Sequence, residues 1–481
     1  MTTRANVGLS SPVLLLFAIA GVVPAFGQTT IAKQPLPNAP SPRLMASLQQ
    51  QAATPVGSAS QSAGAMSGQP VDANPRLTRA DAEQMAIKNN PRVSVAHLLA
   101  LAQHQVVRET RSAELPTGNA SITAVEAENA SRISAGSLTS SRLFEHAGAG
   151  GGFTQLLTDF GKTGNLVASS KLQEKAQNAD ALATTEDILI ATDQAFYDAL
   201  QAQALLTVAQ QNVNARQSTQ TQVGAMTANK LKSTLDLSFA NVNLSQAKLL
   251  LLNAQDNVDS TMASLDSILG LDKRVIYDLV DADQPMNAPP PDVDQLTQLA
   301  LQQRPDLQAL NLRQQSAVKY SHAERDQMLP SISAAGTVGS APVRPAQYYV
   351  TNWWGAIGVN MNIPIFNGFL YSAQAKEAAI RAQAASEQSR DLRDRIVRDV
   401  RTAWLAANTA YQRVAVTTEL LKQANQALGL AQTRYQLGLS SIVELTQAQY
   451  QQTDAAIGNT DAQYQYRLSL ATLNYQIGAN P

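Results

Sequence analysis

The chain has 481 residues, a net charge of −1, and only 15% charged and 5% aromatic residues. Soluble domains usually carry about a quarter charged residues, so this composition suits extensive helix contact or a water-filled interior, and nothing in its charge balance points to nucleic acid. There is no cysteine, which excludes disulfides and thiolate metal sites and predicts no lipidated N-terminal anchor.

Residues 1–27 read as an export signal: Arg4 supplies positive charge, Val13 to Val23 is an apolar core, and Ala25-Phe26-Gly27 offers small residues for cleavage before Gln28. The apolar run is too short to span a bilayer, which takes about 20 residues. Residues 28–76 are rich in Pro, Ser, Ala, Gln and Gly without periodicity, the composition of a disordered lead-in.

A first structural repeat is predicted over 77–271. Thr78 caps a helix over Arg79 to Asn89, and Asn90-Pro91 breaks it because the residue before proline avoids the helical region. A second helix runs from Pro91 to about Glu114 and stops at Leu115-Pro116. Strand patterns follow near Asn119 to Glu128 and Phe144 to Thr158, and then long helices from Lys162 to Val223 and Leu231 to Leu269. Residues 272–292 form a linker. The second repeat, 293–478, copies the first: helices Val293 to Gln303 and Pro305 to Met328, strands Ser331 to Ser340 and Trp353 to Ile365, then helices Tyr371 to Leu437 and Ser441 to Ile477.

The longest helix carries a heptad seam, with small or apolar residues at Ile396, Val400, Ala403, Ala407, Ala410, Val414, Thr417, Leu421, Ala424, Leu428, Ala431 and Tyr435. A repeat of 3.5 residues makes helices supercoil left-handedly, and Ala lets their axes approach closely. Ile188, Thr192, Ala195, Ala199, Ala202, Leu206, Ala209 and Val213 repeat that register about 208 positions earlier. Two similar halves with a pseudo-twofold relation are therefore expected, in one elongated body rather than a solenoid of short units.

The strand from Trp353 alternates clearly. Trp353, Gly355, Ile357, Val359, Met361, Ile363 and Ile365 face one way, and Ala356, Gly358, Asn360 and Asn362 the other. This is the pattern of a transmembrane barrel strand with lipid outside and water inside, although a half-buried soluble sheet reads the same way. Tyr348, Tyr349, Trp353 and Trp354 cluster at one end, where amphipathic rings suit a membrane boundary. Four strands cannot close a barrel, since small ones start at about eight. An open edge does not persist in lipid, so an oligomer is expected, of two copies or three.

Several strings carry no chemistry. Gly161-Lys162-Thr163 lacks the earlier glycine of a phosphate loop, where Leu156 stands. Asp159-Phe160-Gly161 has no accompanying kinase elements and reads as a strand-to-helix turn. Gly148 to Gly152 suit a barrel strand or its loop. His97 and His104 are seven apart rather than three or four, and His146 and His322 are isolated. No nucleophile with a base and acid partner stands out, so no cofactor and no enzymatic activity are expected.

The duplicated openings Met85-Ala86-Ile87-Lys88-Asn89-Asn90-Pro91 and Leu299-Ala300-Leu301-Gln302-Gln303-Arg304-Pro305-Asp306-Leu307 resemble those of the TolC-like outer-membrane efflux protein family. So do Met328-Leu329-Pro330-Ser331-Ile332, Ile363-Pro364-Ile365-Phe366-Asn367-Gly368 and the stretch from Tyr435 to Leu445. The resemblance covers about 77 to 478. It implies a mainly α fold with a small β part: a homotrimer whose four strands per chain build a twelve-stranded outer-membrane β-barrel, continued by a tunnel of long antiparallel coiled-coil helices across the periplasm. It implies a passive exit duct for small molecules or proteins, served by a periplasmic adaptor protein and an inner-membrane efflux pump or ABC transporter. By the same resemblance Glu444 takes the first place of an acidic pair at the periplasmic constriction, while Gln447 departs from the pattern at the second. Asp236 is the first-half equivalent of Glu444. The turn of Gly438, Leu439 and Ser440 corresponds to the tip that meets the adaptor, and Lys230 stands in the other tip where Gly438 stands here. Without the resemblance, Glu444 and Asp236 read as acidic residues favoured at a helix N-terminus. A soluble periplasmic coiled-coil scaffold is a competing reading, which would explain the heptads but not the export signal, the amphipathic strands or their duplication. A periplasmic adaptor is another, but that class would have one hairpin flanked by small β domains where this chain has two hairpins at equivalent positions.

Overall fold

The computed structural model describes residues 75–126, 132–135, 138–142, 146–271, 275, 277–280, 286–340 and 353–479. In chain order they form β1 (Arg76–Thr78), α1 (Arg79–Asn89), α2 (Pro91–Ser112), β2 (Thr117–Val125), β3 (Arg132–Ala135), β4 (Leu138–Arg142), β5 (His146–Thr158), α3 (Lys162–Ala228) and α4 (Thr234–Ile268). Then come β6 (Asp278–Val280), α5 (Val293–Gln303), α6 (Pro305–Asp326), β7 (Ser331–Ser340), β8 (Trp354–Asn362), α7 (Leu370–Gln436) and α8 (Ile442–Ile477).

The duplication is visible element by element. α1 and α5 have 11 residues each, α2 and α6 have 22, and α3 and α7 have 67, which at 1.5 Å per residue is about 100 Å for each long helix. The register seen in the sequence is the one that packs: Ile396, Val400, Ala407 and Ala431 are buried on α7, as are Ile188, Thr192, Ala199 and Ala209 on α3. Small residues dominate because the neighbouring helix backbones lie close.

Start and stop signals are repeated as well. Thr78 and Asp81 make a reciprocal capping box at α1. Asn90 closes α1, accepts from Arg92 N at 2.9 Å to cap α2, and donates its amide to Ile268 O at 2.9 Å at the end of α4. Its counterpart Arg304 donates Nη1 to Gln476 Oε1 at 2.7 Å, at the end of α8. The strand-to-helix corners each use two consecutive left-handed residues with the types exchanged: Phe160 then Gly161 before α3, Gly368 then Phe369 before α7. The Asp159-Phe160-Gly161 string is thus a corner, as its position between β5 and α3 requires.

Each half has its own apolar core. Leu77, Ala82, Ala86, Ile188, Phe196, Leu265, Leu269, Tyr277 and Leu279 form the first; Leu296, Ala300, Leu307, Ile396, Val400, Leu473 and Ile477 form the second at equivalent places. Two features escape the sequence reading. β1 and β6 pair in parallel, Leu77 opposite Leu279, so the lead-in's end and the inter-repeat segment join over the first core. β3 and β4 form a separate hairpin. The second long helix of the first half begins at Thr234 rather than Leu231, because Lys230 is left-handed and Ser233 supplies the N-cap.

The main sheet is antiparallel, in the order β2-β5-β7-β8. Within it Gly336 is required, since a Cβ there would lie 2.3 Å from the Phe153 ring. No described helix is long and apolar enough to cross a membrane, which leaves the sheet as the part with a membrane-type pattern.

Candidate functional site

Two regions carry the functional argument: the sheet, and the two hairpin tips at the far ends of α3 and α7. Register alternation divides the sheet into two faces. Ile357 lies opposite Gly336, Val359 opposite Ala334, Gly336 opposite Phe153, and Ala149 opposite Ile122. The other face carries Asn119, Ser121, Thr123, Thr337, Asn360 and Asn362, interleaved with glycines. On the apolar face Ile122 is 88% exposed and Ile357 80%, a large unburied surface for a protein in water. Among the described residues both edge strands, β2 and β8, have a partner on one side only.

The ends of the sheet are marked by aromatic rings. Trp353 and Trp354 are exposed at the start of β8; Tyr348 and Tyr349, grouped with them in the sequence, lie outside the described residues. At the helix end Phe160, Phe366 and Phe369 are also exposed, with Phe366 and Phe369 edge to face at 5.6 Å between centroids. Sequence reading missed this second group, although the equivalent spacing of Phe160 and Gly368 marks both corners. The nine residues of β8 span about 30 Å at 3.4 Å each.

At the tips, Gly438 and Lys230 both adopt left-handed backbone, φ 74° and 59°. Leu439 N donates to Arg434 O and Leu231 N to Met226 O, each at 2.8 Å, so the two turns have the same hydrogen-bonded form. Val223, Ala240, Ala431, Tyr435, Ile442 and Leu445 pack into one cluster shared by the hairpins. Lys232 Nζ sits 4.3 Å from the centre of the Tyr435 ring, and burial raises the Tyr435 phenol, with Asp236 adding to it. Among the described residues Ser440 Oγ and the Tyr435 hydroxyl are buried without a hydrogen-bond partner.

The predicted constriction residues separate by role. Asp236 is half-buried and completes the capping box of α4 with Ser233. Glu444 is exposed in the first turn of α8, 3.4 Å from Arg434 Nε across its own turn. Gln447 is exposed one turn later. Among the described residues no group of His, Asp or Glu could hold a metal; His104 Nδ1 instead contacts Glu174 Oε1 at 2.7 Å.

The profile of the outer membrane efflux protein family matches residues 83–271 and 296–479, one block for each repeat. The chain belongs to that family. Outer membrane protein TolC of Salmonella enteritidis is 23% identical over 342 residues, covering 68% of this chain and 67% of TolC. A membrane protein from Pseudomonas aeruginosa superposes with a TM-score of 0.72 at 21% identity, covering 83% of this chain and 93% of its own. The CmeC outer membrane channel of Campylobacter jejuni gives 0.72 at 18% identity, with 83% and 85% covered. The chain is therefore an outer-membrane efflux channel subunit with the TolC-like fold, a transport protein rather than an enzyme, and the soluble-scaffold reading falls.

Proposed function

We propose that three copies close their sheets edge to edge into one twelve-stranded barrel, and that their long helices continue it as a periplasmic tunnel. The observation that carries this reading is the four-stranded sheet with an exposed apolar face and two open edges on a chain that also has 67-residue helices. Strands alternate in direction, so β8 of one copy runs antiparallel to β2 of the next and the ring closes without a mismatch. Closure satisfies every edge group, which lipid demands. The apolar face then meets lipid, the Asn, Ser and Thr face meets water, and Trp353, Trp354, Phe160 and Phe369 sit at the two boundaries. Residues 1–27 direct export.

Cargo passes down this duct from an inner-membrane pump through a periplasmic adaptor. Gly438, Leu439 and Ser440 at one tip and Lys230 at the other are the adaptor contacts, supported by the exposure of the first two and Lys230. Glu444, with Gln447 and Asp236 nearby on their hairpins, lines the constriction. Arg434 beside Glu444 offsets part of its charge, so a weak cation preference follows rather than a strong one. In planar bilayers the purified protein should give discrete conductance steps, and Glu444→Ala should change conductance or cation block. Steps with unchanged conductance and block in that variant remove Glu444 from the constriction; absence of steps removes the channel.

A further inference from the structure

The heptad seam of α3 does not stop at Val213. Its next position is Arg216, where the second repeat places Ala424, a small seam residue. Arg216 is only 8% exposed, so this side chain is buried between the two hairpins. Its Nε donates to Asn212 Oδ1 at 3.1 Å, and its Nη1 donates to Gln449 Oε1 of α8. Gln449 Nε2 in turn donates to Thr219 Oγ1 at 3.1 Å, and Thr453 Oγ1 to Asn212 Oδ1 at 3.3 Å. All of these acceptors are neutral. Among the described residues no carboxylate pairs with the guanidinium, and burial alone perturbs it, downward.

A guanidinium does not shed its charge in a protein. A buried cation therefore needs an opposite charge or a large compensation from dipoles, and two amide oxygens use only part of its five N–H groups. Beside it lies a cavity of about 200 Å³, lined by Gln211, Arg216, Gln432, Gln449, Gln452 and Thr453 among others. Glutamine amides can each turn an N–H toward a negative guest, and no acidic side chain lines the space to repel one. We infer that this cavity, formed where α3, α7 and α8 meet, binds a small inorganic anion of halide size, held by Arg216 and the surrounding amides. The anion supplies the missing charge and ties the first hairpin to the second above the tips. A single cation with neutral donors suits a monovalent guest better than a divalent oxyanion, whose second charge would be left uncompensated.

Two measurements on the full-length, detergent-solubilised assembly test this. Crystals grown in sodium bromide should show an anomalous peak within hydrogen-bonding reach of the Arg216 guanidinium. In thermal unfolding at fixed ionic strength, replacing sodium gluconate by sodium chloride should raise Tm saturably, by on the order of 2–4 °C. Arg216→Met should lose that rise and Arg216→Lys should keep part of it. Inorganic phosphate should raise Tm less than chloride does. Absence of bromide at this place while other bromides are seen overturns the assignment, as does a chloride rise that persists in Arg216→Met or a phosphate rise larger than that of chloride. If the Met variant does not assemble, the bromide map and the phosphate comparison decide on the unaltered chain.

Discussion

The two repeats fold alike and are held together differently. Where the first half joins its short helix α1 to the long helix α3, Arg79 Nη1 lies 3.0 Å from Asp193 and 3.1 Å from Glu83, with the Asp193 side chain 3% exposed. The second half has an ion pair at nearly the same place with its polarity exchanged, Asp294 on α5 and Arg401 on α7, 3.3 Å apart with side chains 75% and 57% exposed. The Arg79 side chain is itself 43% exposed, so it is the buried Asp193 carboxylate that makes this pair costly to break; a pair exposed on both sides contributes little. The duplicated backbone thus carries a stiff collar in one half and a lightly fastened one in the other.

Breaking each pair gives the largest expected contrast. Arg79→Ala leaves Asp193 buried without its cation and should cost about 3 kcal/mol, whereas Arg401→Ala should cost less than about 1 kcal/mol; chemical denaturation of the solubilised protein measures both. Comparable losses would mean that the halves are fastened alike.

The helix ends offer a second contrast. Gly270 and Gly478 close α4 and α8 with φ 68° and 73°, but a Cβ on Gly270 would lie 2.8 Å from the Asn89 carbonyl oxygen, and one on Gly478 no nearer than 3.3 Å to Arg304. Gly270→Ala should therefore lose about 2 kcal/mol and Gly478→Ala about 1 kcal/mol. The same denaturation curves rank them.

Acidity probes the collar without a large structural change. Burial, reinforced by a hydrogen bond with Asp193 and opposed by Arg79, pushes Glu83 from 4.5 up to about 7. Glu186 is also raised to about 7, by burial and then by Asp306. With folded values above the unfolded ones, the native state holds more protons between them, so stability is full below about 4.5 and falls as pH rises through 7. Tm should decline across that window, and Glu83→Gln with Glu186→Gln should flatten the decline. An undiminished slope in the double variant would place the effect elsewhere.

The smallest contrast lies at the tips. Lys230 carries a left-handed conformation that Gly438 adopts freely, so Lys230→Gly should gain about 1 kcal/mol and Gly438→Lys should lose as much. Equal stability in both variants would mean that the Lys230 turn relaxes without strain.

Much of this architecture was legible because it rests on local pattern. The seam from Ile396 to Tyr435 and its copy from Ile188 gave the long helices, and Pro91, Pro305 and Pro330 gave their neighbours' boundaries. The β8 alternation gave the two-faced sheet. Pairings between distant short segments were not legible: three residues around Leu77 and three around Leu279 carry too little periodicity to announce a ribbon. Contacts between hairpins, such as Arg216 with Gln449 or Lys232 with Tyr435, depend on which faces meet, and intrahelical spacing leaves that open. Glu444 came from family resemblance; the geometry adds Arg434 as its neighbour.

The central claim, that the open sheet is one third of a closed barrel, can be tested directly because the chain has no cysteine of its own. Single cysteines placed along β2, at Asn119, Ser121 and Thr123, are combined with single cysteines along β8, at Ala356, Gly358 and Asn360, and oxidised in outer membranes. Closure by three copies predicts that at least one combination yields covalent dimer and trimer and nothing larger. A ladder ending at dimer, or no intermolecular bond in any combination of correctly inserted protein, would contradict it.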